Sequence, residues 1–132
     1  MRLVLDTNVL FAAYIARGTC AALYEQILAM ETLITSEPIL SELEQALLVK
    51  ARVPQAEAAA ARHQVRSNAE VVQPAILPAR VCRDADDDAI LGTAVAANAD
   101  LLVSGDKDLL VLRQYHGIPV ITPAEALARL YA

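Results

Sequence analysis

A chain of 132 residues is long enough for one domain with one core, expected to span residues 1–132. Hydrophobic residues make up 56% of it, yet no run approaches the roughly 18–20 apolar residues that cross a bilayer. The net charge of −5 argues against binding nucleic acid by bulk electrostatics, although carboxylates that hold divalent cations stay compatible with a polyanion.

The first element is Leu3–Leu5, a short apolar run without alternation, as expected of a strand covered on both faces. Asp6, Thr7 and Asn8 break the run, and Val9–Ala16 resumes as a helix-compatible stretch. Such a strand–polar–helix junction opens a βα unit. The chain then alternates in the same way. Thr19–Met30 is helical, Leu33–Thr35 a strand, and Glu37–Lys50 and Pro54–Asn68 two helices. Glu70–Val72 is a strand, Asp88–Asn98 a helix, Leu101–Ser104 a strand and Asp106–Tyr115 a helix. Val120–Ile121 and the helix Pro123–Tyr131 close the chain. Pro38, Pro54 and Pro123 fall near helix starts, where a missing N–H is harmless. This alternation predicts an α/β fold, a three-layer α/β/α sandwich around a parallel sheet. Asp6 follows Arg2 too closely to leave room for a secretory signal, so a cytoplasmic location is expected. Cys20 and Cys82 match no metal spacing and read as small buried hydrophobes.

Ligands of parallel sheets bind beyond the carboxyl ends of the strands, which is where Asp6 stands. Its alternative use is to cap the following helix. Asp106 lies just past the fourth strand, after Ser104-Gly105, in the same relation to its strand as Asp6. If the strand order reverses between these two strands, the carboxylates face each other across the crevice. The run Asp84-Ala85-Asp86-Asp87-Asp88 ends at a helix start, with Asp88 beginning the helix. Capping accounts for one or two of those acids but does not need four that repel one another. Glu42 and Glu44 flank the apolar stripe Ile39, Leu40, Leu43, Ala46 and Leu47 on opposite sides, and helical periodicity does not choose between them. Oxygen donors without paired His or Cys suit Mg²⁺ or Mn²⁺. His63 and His116 belong to no ligand spacing, and there is no phosphate loop or nucleophile–His pair. Metal-assisted hydrolysis of a phosphodiester is the chemistry that remains.

Five segments in order resemble the PIN-domain ribonucleases, above all the toxin components of bacterial and archaeal toxin–antitoxin pairs. They are Leu5–Leu10, Ser41–Leu47, Arg83–Leu91, Ala99–Leu110 and Ile118–Glu125, which leave 55–77 as the least similar part. The resemblance implies a five-stranded parallel sheet of order 3-2-1-4-5 and an RNA phosphodiester substrate. It implies that Asp6, Glu42, Asp88 and Asp106 are the catalytic acids that hold Mg²⁺ or Mn²⁺, and so separates Glu42 from Glu44. Asn8 and Ser104 match supporting polar positions, and Asp87 stands next to the third acid, able to assist or replace it. The basic stretch common after the second acidic helix is thin here, reading Val49-Lys50-Ala51-Arg52-Val53-Pro54. A homodimer is expected, with Lys50, Arg52, Arg62 and Arg66 in a shared substrate groove, and so is an antitoxin placing a basic or aromatic side chain towards Asp6 and Asp106. Two rivals share the fold class: a catalytically weak binding module, and a Mg²⁺-dependent phosphoryl-transfer domain with Asp6 as nucleophile. Asn8 stands where the dehalogenase type of the latter needs an acid.

Overall fold

A computed structural model describes residues 1–131. Six strands and seven helices alternate as β1 (Arg2–Leu5), α1 (Thr7–Ile15), α2 (Thr19–Met30), β2 (Thr32–Thr35), α3 (Glu37–Val49), α4 (Gln55–Ser67) and β3 (Ala69–Val71). They continue as α5 (Ala85–Ala96), β4 (Leu101–Val103), α6 (Lys107–Leu110), β5 (Gln114–Tyr115), β6 (Ile118–Ile121) and α7 (Pro123–Leu130). The sheet order is β3-β2-β1-β4-β6-β5, with every pairing parallel except β5 with β6. The expected α/β fold and its 3-2-1-4-5 order therefore hold for the five parallel strands.

The sixth strand corrects the sequence reading. The sequence pattern predicts one helix over Asp106–Tyr115. The helix stops after Leu110, and the chain passes through Arg113 at φ 62° into a hairpin. His116 and Gly117 both hold positive φ, the conformation of a two-residue turn whose twist matches the flanking strands. Tyr115 then faces Ile118 across the ladder.

Burial follows strand position. Leu3, Val4 and Leu5 of β1 have no exposed surface, and Leu101–Val103 of β4 are equally covered, as the unbroken apolar runs require. The edge strand β3 is only half-covered. In α3, Ile39, Leu40, Leu43 and Leu47 turn inward, and Ala58, Ala61 and Val65 of α4 pack against that helix. The outer faces of the pair carry an ion-pair network. Arg62 reaches Glu44 and Glu37, both at 2.9 Å, and Arg66 also meets Glu37. This engages two of the four cations expected in a substrate groove. Cys82 is buried as expected, and Cys20 is half-buried. Among the described residues, no helix is long and apolar enough to cross a membrane.

One glycine is a packing requirement. A Cβ on Gly92 of α5 would lie 2.4 Å from the Ala75 carbonyl oxygen, while the Ala75 N–H donates to the Gly92 carbonyl at 2.9 Å. The long connection from β3 is thereby laid directly on α5.

Candidate active site

The strand order reverses between β1 and β4, and a cavity of about 510 Å³ opens near their carboxyl ends. Four elements bring carboxylates to it. Asp6 follows β1, Glu42 projects from α3, Asp84, Asp86 and Asp87 come from the start of α5, and Asp106 follows β4. Thr7, Asn8, Phe11, Gln45 and Lys50 complete much of the wall, with Asn8 exposed.

Asp6 occupies the N-cap position of α1 but makes no capping bond with its side chain. Its Oδ2 instead accepts from the Ser104 hydroxyl at 2.6 Å, and the Ser104 Oγ accepts the Asp106 backbone N–H at 2.9 Å. One serine thus ties the two strand-end acids to each other through their shared edge. Asp106 in turn caps the short α6, its Oδ1 accepting the Asp108 N–H. Burial pushes the Asp6 carboxyl above its ordinary range, against the lowering effects of the Ser104 and Thr7 hydrogen bonds.

Glu42 and Glu44 separate cleanly. Glu42 lines the cavity, where burial and then the charges of Asp86, Asp6, Asp84 and Asp87 raise its pKa to about 7. Glu44 points to the outer side of α3 and pairs with Arg62.

Of the two acids considered for the third position, Asp88 and its neighbour Asp87, the cavity is lined by Asp87. Helix α5 begins at Ala85, not at Asp88, and Asp84 is its cap, accepting the Asp86 N–H at 2.9 Å. This start turns Asp86 and Asp87 towards the cavity, while Asp88, one step of about 100° further round, lies outside its lining. The Asp88 carboxylate accepts the backbone N–H groups of Cys82 at 2.8 Å and Val81 at 3.2 Å, clipping the preceding loop to the helix. Burial opposes ionisation of Asp88, but those backbone N–H groups outweigh it and hold the carboxyl below its usual value. Asp87 is buried in the cavity wall, and desolvation followed by the Asp106 and Asp6 charges raises it to about 7.

The sequence reading also passed over Asp108. Asp87, Asp106 and Asp108 bring carboxylate oxygens within 4.8 Å of one another, a spacing that could hold a cation. The signal available was the second acid of Ser104-Gly105-Asp106-Lys107-Asp108. Asp108 also receives the Arg83 guanidinium, whose Nη2 lies 2.8 and 3.1 Å from its two oxygens. The cavity lining has carboxylates and no His or Cys, and three of its carboxyls are pushed upward by burial and mutual repulsion, so the site fits a hard divalent cation.

A family model for the PIN domain matches residues 2–108. The chain belongs to the PIN domain family. The fold of this PIN domain is similar to that of PAE2754 from Pyrobaculum aerophilum, at 24% identity and a TM-score of 0.69 over 99% of this chain and 90% of that one. It is also similar to VapBC2 from Rickettsia felis, solved bound to a promoter DNA fragment, at 16% identity and a TM-score of 0.64 over 92% of this chain and 98% of that one. VapBC-1 from nontypeable Haemophilus influenzae matches at 15% identity and a TM-score of 0.62, covering 94% of this chain and 99% of that one. At these identities the likeness is one of fold. No curated protein matches this chain in sequence.

Proposed function

We propose that residues 1–132 act as a single PIN domain that hydrolyses RNA phosphodiester bonds with Mg²⁺ or Mn²⁺, as the toxin of a toxin–antitoxin pair. The observation that carries this reading is the meeting of Asp6, Glu42, Asp87 and Asp106, from four separate elements, in one open cavity. Packing alone has no use for four carboxylates crowded at a sheet edge.

Asp6, Asp87 and Asp106 would hold the cation, with Glu42 at its side and Asp108 joining where Asp87 and Asp106 approach it. When bound, the cation supplies Lewis-acid polarisation of a phosphodiester and activation of water. The chain's own residues do the positioning. Ser104 fixes the Asp6 carboxylate in one orientation and leaves its other oxygen for the site. The Asp108 N–H fixes Asp106, and the Asp84 cap sets the rotation of α5 that presents Asp87. Asn8, at the rim, can hydrogen-bond water or substrate.

A cytoplasmic homodimer with a protein antitoxin follows from the family resemblance. The antitoxin would place a basic or aromatic side chain near Asp6 and Asp106, where the carboxylates attract cations.

The deciding experiment incubates the purified chain with single-stranded RNA in Mn²⁺, in Mg²⁺ and in EDTA, beside Asp106→Asn. Cleavage that needs the metal and disappears in the variant supports the proposal. Cleavage that persists in both EDTA and Asp106→Asn overturns it, as does an RNA left intact by the wild type.

A further inference from the structure

We propose that Arg83 binds a phosphate of the RNA strand beside the scissile one, with Asp108 holding its guanidinium at the mouth of the acidic cavity. This rests on the nuclease reading above and names how a strongly acidic site retains a polyanion.

Among the described residues, Arg83 is the only cation ion-paired to a carboxylate of this cluster. It stands one carboxylate away from Asp87 and Asp106, because Asp108, its partner, lies within 4.8 Å of both through their ligand oxygens. The side chain is 86% exposed, so it faces solvent and whatever enters from it. An exposed ion pair of this kind contributes little to stability, which leaves it free for another use.

The backbone that carries Arg83 is firmly held. Asp88 accepts the N–H groups of Val81 and Cys82, and Cys82 is itself buried. Arg80 donates from Nε to the Cys82 carbonyl at 3.1 Å and from Nη2 to the Arg83 carbonyl at 2.6 Å. Arg83 is thus an exposed cation on a braced loop. A guanidinium has five N–H donors in a fixed fork. Asp108 engages only Nη2, leaving the Nε and Nη1 donors for a phosphate, the anion whose geometry suits them. Lys50 lies in the cavity wall formed by α3 and its end. The strand would then run between one cation at Lys50 and another at Arg83, crossing the carboxylates between them.

The test compares Arg83→Gln, Arg83→Lys and Arg129→Gln, an exposed arginine in the last turn of α7. Cleavage kinetics are measured in Mn²⁺, and binding of a fluorescein-labelled single-stranded RNA is followed by anisotropy in EDTA across a KCl series. Arg83→Gln should raise KM about fivefold with kcat within about twofold, as for one charge contact at an exposed site. The slope of log affinity against log salt should fall by about 0.7, the release expected for one phosphate contact on a single strand. Arg83→Lys, which keeps the charge without the fork, should restore the salt slope and part of the KM, and Arg129→Gln should leave both unchanged. Wild-type cleavage with Arg83→Gln matching Arg129→Gln in KM and salt slope would sink this inference alone. A loss of kcat at constant KM would also overturn it, since Arg83 would then act on the site and not on the strand. A wild type that neither binds nor cuts RNA overturns the nuclease reading itself.

Discussion

The Ser104 hydroxyl donates to Oδ2 of Asp6 at 2.6 Å, joining two residues 98 positions apart at the ends of adjacent strands. The Ser104 Oγ also accepts the Asp106 N–H, so removing this hydroxyl unsettles both strand-end acids at once. Ser104→Ala should lower cleavage about 10- to 100-fold, the range for groups that orient metal-binding side chains. Ser104→Thr, which keeps the hydroxyl, should lose less. Activity assays on the two variants check this, and an alanine variant at wild-type rate would remove the serine from the site.

Asp87 and Asp88 are adjacent, yet their predicted losses differ in kind. Asp87→Asn should abolish metal-dependent cleavage while thermal stability holds or rises, since crowded like charges are relieved. Asp88→Ala frees the N–H groups of Val81 and Cys82 and should cost about 1–2 kcal/mol of stability. Its activity should fall less than that of Asp87→Asn. Melting curves beside cleavage rates decide the matter, and the opposite pattern would return the third acid to Asp88.

Glu42→Gln should impair cleavage, whereas Glu44→Gln should leave it near normal and only release Arg62 on the outer face. The half-buried Glu44–Arg62 pair is a single ion pair at the surface, worth about 1 kcal/mol, so stability should change little. Equal loss of activity in the two variants would contradict the observed rotation of α3.

Glu42 and Asp87 each titrate at about 7 in the folded chain, against ordinary values of 4.5 and 3.8. Between roughly pH 4 and 7 the folded chain therefore holds protons that the unfolded chain has lost, and stability falls as pH rises through that window. In chelator, the Tm should be higher near pH 5 than near pH 8, and Glu42→Gln should flatten the difference. Mn²⁺ should raise the Tm at pH 8, and added near pH 6 it should also release protons, because it binds the ionised site of the folded state. Calorimetry with a proton-sensitive buffer pair measures both effects. A metal-free Tm that climbs from pH 5 to pH 8 would contradict the raised carboxyls.

Gly92→Ala tests the path of the loop that leads to α5. The new Cβ would meet the Ala75 carbonyl oxygen at 2.4 Å, a backbone atom with no rotamer to move, so the variant should be destabilised despite the better helix propensity of alanine. A Tm at or above wild type would mean that the loop yields without cost.

Much of this protein was written locally. Leu3–Leu5 and Leu101–Val103 announce buried parallel strands, because two covered faces allow no polar alternation. Asp6 and Asp106 announce the site, because a charge directly after such a strand has no packing reason to be there. What periodicity left open were choices of rotation. Glu42 and Glu44 sit symmetrically about their stripe, and only the packing of α3 against α1, α4 and α5 turns one inward. Asp87 and Asp88 differ by a single step of 100°, decided by where Asp84 caps α5 and by which N–H groups of the loop needed an acceptor. The hairpin at Gln114–Ile121 escaped for the same reason: three leucines at helical spacing are also what a short helix followed by an edge strand would show. Pattern along the chain determines which side chains are chemical and which are buried. Only the tertiary structure, through caps, backbone acceptors and helix rotation, determines which of two neighbouring acids enters the cavity.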